Sequence, residues 1–334
     1  MSTQPPVLPL DHIVRDHLPQ AQWMVGGAFR FDRHLMLLLN FLSTYFPPRA
    51  VGCVTGAPPC AWSLDMYGQR AALTMARCEA LLAAYAQHQI GVTLMFDNPS
   101  VAPDTLQDEF GHWLVQRLME QNPTGRNKVC VASDELAAAI RQRQPNAPII
   151  CHANRLVLGS EKRTPSFYEK LEEIYQLIML HPRDAVTPSL YTQLRHPERY
   201  AVVLNDPTPR NYPSRRELLT LLSRMRRAPW DYTLRQAREG MTSRTGLYAM
   251  ENSGNLTMQE QQALYACGVR HFIVQDFHFR SEITLLWDTF YLLLSTQPEY
   301  SNKAALLASA ALAHIREAQD RLPSGLNLFQ FTED

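Results

Sequence analysis

The sequence predicts an α/β protein built as a closed (β/α)8 barrel, and three observations carry that prediction. Short apolar runs rich in β-branched residues recur along the chain and read as strands buried on both faces, as parallel strands are. Each run is followed by a segment with helical spacing, and strand–helix alternation calls for a parallel sheet with crossover helices. The units number eight within 334 residues, a normal length for one barrel. The alternative, an open doubly wound sheet, is disfavoured because no GxGxxG follows any strand and no GxxxxGK[ST] occurs. No nucleotide-cofactor motif is therefore expected.

Taken in order, residues 1 to 21 hold a proline-rich start and a short helical piece from about Asp11. The first strand is Met24 to Phe31, ending at Asp32-Arg33-His34; helical spacing over Leu35 to Tyr45 is stopped by Pro47-Pro48. The second strand is Ala50 to Thr55, left through the loop GAPPCAW and followed by a helix from about Gly68 to Gln89. The third strand, Val92 to Phe96, ends Asp97-Asn98-Pro99, and Thr105 is the expected cap of the next helix. The fourth, Lys128 to Ala132, leads to a helix opened by Ser133. The fifth, Pro148 to Cys151, ends His152-Ala153-Asn154 and is followed by a long loop and a helix at about Pro165 to Tyr175. The sixth, Leu177 to Leu180, ends His181-Pro182-Arg183-Asp184, with a short helix near Pro188 to Leu194.

The seventh strand is Ala201 to Leu204, followed by Asn205-Asp206, a proline-punctuated loop carrying Arg210, and an amphipathic helix from Ser214 to about Arg227. Residues 228 to 255 are too long for an ordinary connection and are expected to be an irregular lid or side wall. Thr257 caps a helix through Ala266, and Gly268 turns the chain into the eighth strand, His271 to Val274, ending Gln275-Asp276-Phe277-His278. A last βα helix is expected at about Glu282 to Leu294. An additional helix over 302–321 lies outside the repeat, so the whole chain, 1–334, reads as one barrel domain.

Composition narrows the function. Hydrophobic residues make up 46% and charged residues 19%, which is a globular chain. Basic and acidic residues balance at 32 each, so no electrostatic footprint for nucleic acid or an anionic membrane is present. No apolar run approaches the roughly 20 residues of a membrane span. The amino terminus lacks a basic start followed by an apolar segment, so no secretory signal is expected. The 6 cysteines are scattered without a CxxC pair, and Cys53, Cys130 and Cys151 fall inside strand runs as small core residues. The expectation is a reduced, cytoplasmic protein.

Three stretches together carry a resemblance: VCVASDELAAAIRQRQPNAPIICHAN (129–154), VVLNDPTPRNYPSRREL (202–218) and LTMQEQQALYACGVRHFIVQDF (256–277). This arrangement resembles the TIM-barrel family of collagenase-like peptidases, which also contains ubiquinone- and ribosomal-RNA-hydroxylation accessory proteins. The resemblance covers roughly the carboxyl-terminal two thirds of the chain. Relatives often carry the seventh-strand loop as an asparagine followed by cysteines around a proline–arginine pair. Asn205, Pro213 and Arg215 fit that pattern, but Thr208 and Tyr212 stand where cysteines would be, so no iron–sulfur cluster is implied. No stretch looks like a peptidase nucleophile.

Barrel chemistry belongs at the carboxyl ends of the strands. Those ends carry Asp32, His34, Asp97, Asn98, His152, Asn154, His181, Asp184, Asn205, Asp206, Gln275, Asp276 and His278. Strand ends are also loop starts, where Asp and Asn serve as turn and cap residues, and for any single Asp that is the better reading. The histidines say more. His152 and His181 end consecutive strands, and Asp276 and His278 lie two apart, on one face of an extended strand. His152, His181, Asp276 and His278 are the candidate catalytic or proton-transfer groups. His152, His181 and Asp276 are also candidate ligands for a divalent metal.

Asn205, Gln275, Asn98, Arg210 and Arg183 are candidate substrate-binding residues, since arginine forks suit carboxylate or phosphate. The expected substrate is a small anionic metabolite, and the oligomeric state is open. Trp62, Trp230, Tyr212, Tyr232 and Tyr248 form an aromatic wall or only pack the long loop. With no GxSxG, a serine hydrolase is not expected. Cys60, in an exposed-looking Pro-Pro-Cys-Ala-Trp loop, is the one candidate thiol nucleophile. Beside the enzyme reading stands a non-catalytic accessory barrel that binds a metabolite, peptide or partner protein.

Overall fold

A computed structural model of the chain describes residues 18, 20–30, 35, 51–64, 73–122, 125–206, 208, 215–228, 230–245 and 255–275. Eight parallel strands close into a barrel in simple sequential order. They are β1 (Gln22–Gly26), β2 (Val51–Gly56), β3 (Gly91–Phe96), β4 (Lys128–Val131), β5 (Ile149–Cys151), β6 (Leu177–Met179), β7 (Tyr200–Val203) and β8 (His271–Val274). Closure is made by β1 on β8, with Gln22 opposite His271 and Val25 opposite Val274.

Strand alternation divides the core in two. Met24, Cys53, Cys130, Ile150, Leu177, Met179, Ala201 and Ile273 form the inner cluster, contributed by seven of the strands. Their neighbours in sequence, such as Trp23, Val54, Val129, Ile149, Ile178, Val202 and Phe272, join the larger cluster against the helices. The three strand cysteines are buried, as their sequence setting predicts. β1 stops at Gly26 rather than reaching Phe31, because Gly27 takes φ 100° and turns the chain through residues 28–30.

The helices sit outside this wall. α1 (Met75–Gln87) begins where Thr74 caps it, so residues 73 and 74 interrupt the helix expected from Gly68. α2 (Glu109–Glu120) is capped by Asp108, whose carboxylate accepts the Phe110 N–H. Thr105, the expected cap, lies instead in a 3-10 turn over Pro103–Gln107, where the proline sets the first residue of a separate turn. α3 (Asp134–Arg143) opens on Ser133 as expected. In place of the long loop expected after β5, a short helix follows at once, α4 (Ala153–Leu158), capped by the His152 ring.

α5 (Pro165–Glu172) ends before Tyr175, which turns inward and is buried. α6 (Pro188–Tyr191) is a single turn. α7 (Arg215–Arg227) and α8 (Tyr232–Thr245) come next, so residues 228–255, expected to be irregular, contain a helix. α9 (Met258–Ala266) begins with a reciprocal Thr257–Glu260 capping box. Among the described residues no helix is long and apolar enough to cross a membrane. The helices expected at 282–294 and 302–321 lie outside the described residues.

Candidate active site at the carboxyl end of the barrel

α7 does not behave as the crossover helix of the seventh unit. Leu218, Leu219 and Leu222 pack on Leu64, beyond β2, and on Val157 and Leu158 of α4, beyond β5. The Ser223 hydroxyl donates to Asn98 Oδ1, beyond β3, at 2.9 Å. Arg226 Nε donates to the Cys60 carbonyl at 2.8 Å, and an Arg216 N–H to the Gly159 carbonyl at 2.8 Å. These partners lie past the carboxyl ends of β2, β3 and β5, none of which neighbours β7 in the barrel. α7 therefore crosses the barrel mouth, and the helix packed beside β8 is α9, through Leu264. The crossing brings Arg215, at the first residue of α7, over the ends of β5, β6 and β7.

Under it lie two histidines held in the same way. His152 Nδ1 accepts the Asn154 N–H at 3.0 Å, and His181 Nδ1 accepts the Arg183 N–H at 3.2 Å. A neutral imidazole has one protonated nitrogen, and these bonds assign the proton to Nε2 in both rings. Both are buried, and burial pushes the His152 pKa down to about 4. For His181, burial and then the charges of Arg163, Arg215 and Arg183 push it down to about 2. At neutral pH the mouth thus presents two uncharged rings, each with Nε2–H as its remaining polar group. The Arg215 charge acts on both rings, and the Asp206 carboxylate acts on His152 in the opposite sense.

Each ring has a buried carboxylate near it that is itself neutralised. Asp206 Oδ2 accepts from Arg215 at 2.7 Å and Oδ1 from the Thr208 N–H at 2.8 Å. Asp184 accepts from Arg163 at 2.5 Å and from the Tyr168 hydroxyl at 2.7 Å, and that hydroxyl accepts the His181 backbone N–H at 3.3 Å. A third pair, Arg155 with Asp134 at 2.9 Å, ties α4 to α3 on the more exposed rim.

Two of the amide side chains expected to bind substrate, Asn98 and Asn205, are used by the scaffold, as is Asn154. Asn98 Nδ2 donates to the Ala61 carbonyl, and its Oδ1 accepts from Ser100 N–H and Ser223. Asn154 donates to the Asp97 carbonyl, and Asn205 pairs with the Gln275 backbone. Arg183 is exposed at the rim. Asp276, His278 and Arg210 lie outside the described residues, as do Asp32, His34, Tyr212 and Tyr248.

Two further expectations change. Cys60 is buried rather than exposed, and burial pushes its thiol up to about 11, so it is not a thiolate nucleophile at neutral pH. Trp62 lies in the core, edge-on to Phe96 and His112, while Trp230 and Tyr232 are 79% and 68% exposed. Trp62 therefore packs the core and shares no exposed face with Trp230 and Tyr232. Sequence reasoning passed over Arg163 and Tyr168. Neither is at a strand end, and the residues they meet lie beyond the next strand, so no local spacing marks them.

The histidines as held do not fit a metal. Ligation needs a lone pair, Nδ1 spends its own on a backbone N–H, and Nε2 carries the proton. Among the described residues no group of three His, Cys, Asp or Glu side chains has ligand geometry.

No family model matches the chain. No curated protein matches it either. Among solved structures, one titled as that of the U32 peptidase Mk0906 is similar over 77% of this chain and 92% of its own, at 11% identity and a TM-score of 0.45.

Proposed function

We propose that this chain is an enzyme acting in the carboxyl mouth of its barrel on a small anionic metabolite, by hydrogen-bond and acid–base chemistry without a metal. The observation that carries this reading is the pair of neutral imidazoles at the ends of adjacent strands, each with Nε2–H as donor, beneath the Arg215 guanidinium. Burial lowers the basicity of any enclosed histidine, so the argument rests on placement: a neutral imidazole donor beside positive charge suits the polarisation of a substrate carbonyl or the binding of an oxyanion. With such low pKa values the rings are poor general bases, so His152 and His181 donate without giving up a proton. Proton transfer in this reading falls to Asp276 and His278, which follow β8 directly in the sequence. Arg183 and Arg210 hold the substrate's carboxylate or phosphate in this reading.

The test is a thermal-shift screen of small carboxylates and phosphates on the full chain, followed by product detection by NMR for each stabilising compound. The reading expects a ligand that is turned over by the wild type, with turnover lost in His181→Gln and in His152→Gln. Stabilising ligands unaffected by both changes would sink it.

A second reading, an accessory barrel that docks a partner protein, is favoured by the exposure of Trp230 and Tyr232 at the start of α8. Ligand binding without turnover, together with capture of a partner that Trp230→Ala abolishes, would favour it.

A further inference from the structure

At the opposite end of the barrel the first residues of the strands surround a cavity of about 360 Å3, whose lining includes Gln22, Cys53, Arg126, Lys128 and His271. A small metabolite fills such a volume; a lone ion does not. Lys128 opens β4 and alternates with inward-facing Cys130, and His271 opens β8 and alternates with inward-facing Ile273, so both point into the barrel from opposite walls. Gly91, at the start of β3, lets the chain before β4 into the barrel floor: a Cβ there would stand 2.7 Å from Arg126 Cβ. No acidic residue is among the described residues of the lining.

The polar groups of this floor are poorly matched to one another. Lys128 Nζ donates to the Arg126 carbonyl at 3.2 Å, which leaves an ammonium with further donors beside the cavity. The His271 ring hydrogen-bonds to the Glu198 backbone, and its Nδ1 is buried without a hydrogen-bond partner. A barrel core gains nothing from enclosing a cation and an orphaned imidazole nitrogen, since both carry a desolvation cost unless something pairs with them. A ligand with several acceptor oxygens and negative charge pairs with the ammonium directly, and with Nδ1 once that nitrogen carries a proton.

We propose that the amino end of the barrel binds a small polyanion, a phosphorylated or polycarboxylate metabolite, between Lys128 and His271. This site is separate from the mouth and does not depend on the function proposed there. Burial and the Lys128 charge hold the His271 pKa down to about 4. The side chains lining the cavity with it that titrate are Lys128, Arg126 and Cys53, while Glu198 offers its backbone. A bound polyanion opposes that depression, so binding draws a proton onto Nδ1 and turns it into a second donor. Affinity therefore rises as pH falls.

The experiment is calorimetric titration of the full chain with pyrophosphate and with citrate, against chloride at matched ionic strength, at pH 8 and pH 6. The wild type is expected to bind at least one of the two well above chloride, and more tightly at pH 6; which one binds tells phosphorylated from polycarboxylate ligands. Lys128→Met is expected to weaken binding about tenfold or more, the scale of one charge-assisted hydrogen bond, and Lys128→Arg to retain it. Lys128 is half-buried and its ammonium donates to a single backbone carbonyl, so Lys128→Met is expected to fold and stays informative. His271→Asn is expected to remove the pH dependence, and the mouth variant His181→Gln to bind as the wild type does. No binding above chloride, undiminished binding by Lys128→Met, an unchanged pH dependence in His271→Asn, or loss of binding in His181→Gln would overturn the proposal.

Discussion

Asn205 and Gln275 hold each other beyond the ends of β7 and β8: Asn205 Nδ2 donates to the Gln275 carbonyl at 2.7 Å, and its Oδ1 accepts the Gln275 N–H at 2.8 Å. The side chain thereby adds one more rung to the ladder between these strands, where the backbones have begun to diverge. Asn205→Ala leaves both Gln275 backbone groups without that partner. The expected loss is roughly 2–3 kcal/mol in urea denaturation, because unsatisfied, partly buried donors and acceptors carry their desolvation cost. Asn205→Asp keeps the acceptor and should lose less. A loss under about 0.5 kcal/mol in the alanine variant would show that water replaces the pair.

The pair of Asp206 and Arg215 makes a different prediction. Their side chains are 10% and 13% exposed, and they meet at 2.7 Å. Arg215→Met strands a buried carboxylate and should destabilise by about 3 kcal/mol. Adding Asp206→Leu in the same chain should restore part of that loss, since the cost comes from the unpaired charge. A double variant worse than the sum of the single ones would refute this account.

Stability should depend on pH through the histidines. His152 and His271 are held down to about 4 and His181 to about 2, against an ordinary value near 6.5. The unfolded chain therefore takes up protons first as pH falls. The contribution of each ring is complete above about pH 6.5 and is lost as pH drops toward its folded value. A tenfold difference in proton affinity between the folded and unfolded chain corresponds to about 1.4 kcal/mol, so each ring accounts for a few kcal/mol over that window. Denaturation at pH 7 and pH 5 should show a large loss in the wild type and a smaller one in His152→Gln. Equal losses in the two proteins would rule out His152 as a contributor.

Gly111 of α2 tests the packing of the mouth's outer wall. A Cβ at this position would stand 2.5 Å from the Trp62 ring. That ring is fully buried and is fixed by its Nε1–H bond to the Thr105 carbonyl at 2.7 Å. Alanine gains roughly 1 kcal/mol of helix propensity. Overpacking a rigid ring typically costs about 1–3 kcal/mol, so the net effect of Gly111→Ala should be destabilising. A raised melting temperature would contradict this.

Much of the barrel is legible along the chain because strand burial is a local property. Runs such as Val202 to Leu204 are apolar on both faces, and a parallel strand needs no more than that to announce itself. Ser133 and Thr257 mark their helices because a cap acts on its own next turn. Thr105 misled because Asp108, three residues on, offers the same chemistry and Pro103 starts a separate turn first. His152 and His181 stand out at adjacent strand ends, but nothing nearby in sequence tells which ring nitrogen keeps its proton.

By itself the sequence determined the number and order of the strands, and hence the ring of polar residues at their carboxyl ends. The tertiary structure alone decided which of those residues are available. The amphipathic stripe of α7 states that one face is buried, without saying against what, and only folding sends it across the mouth to Leu64 and Leu158. That crossing consumes Asn98, brings Arg215 to the histidines and leaves their Nε2–H groups as donors. Contacts between residues a hundred positions apart depend on shape, and shape is not encoded in the spacing of any one segment.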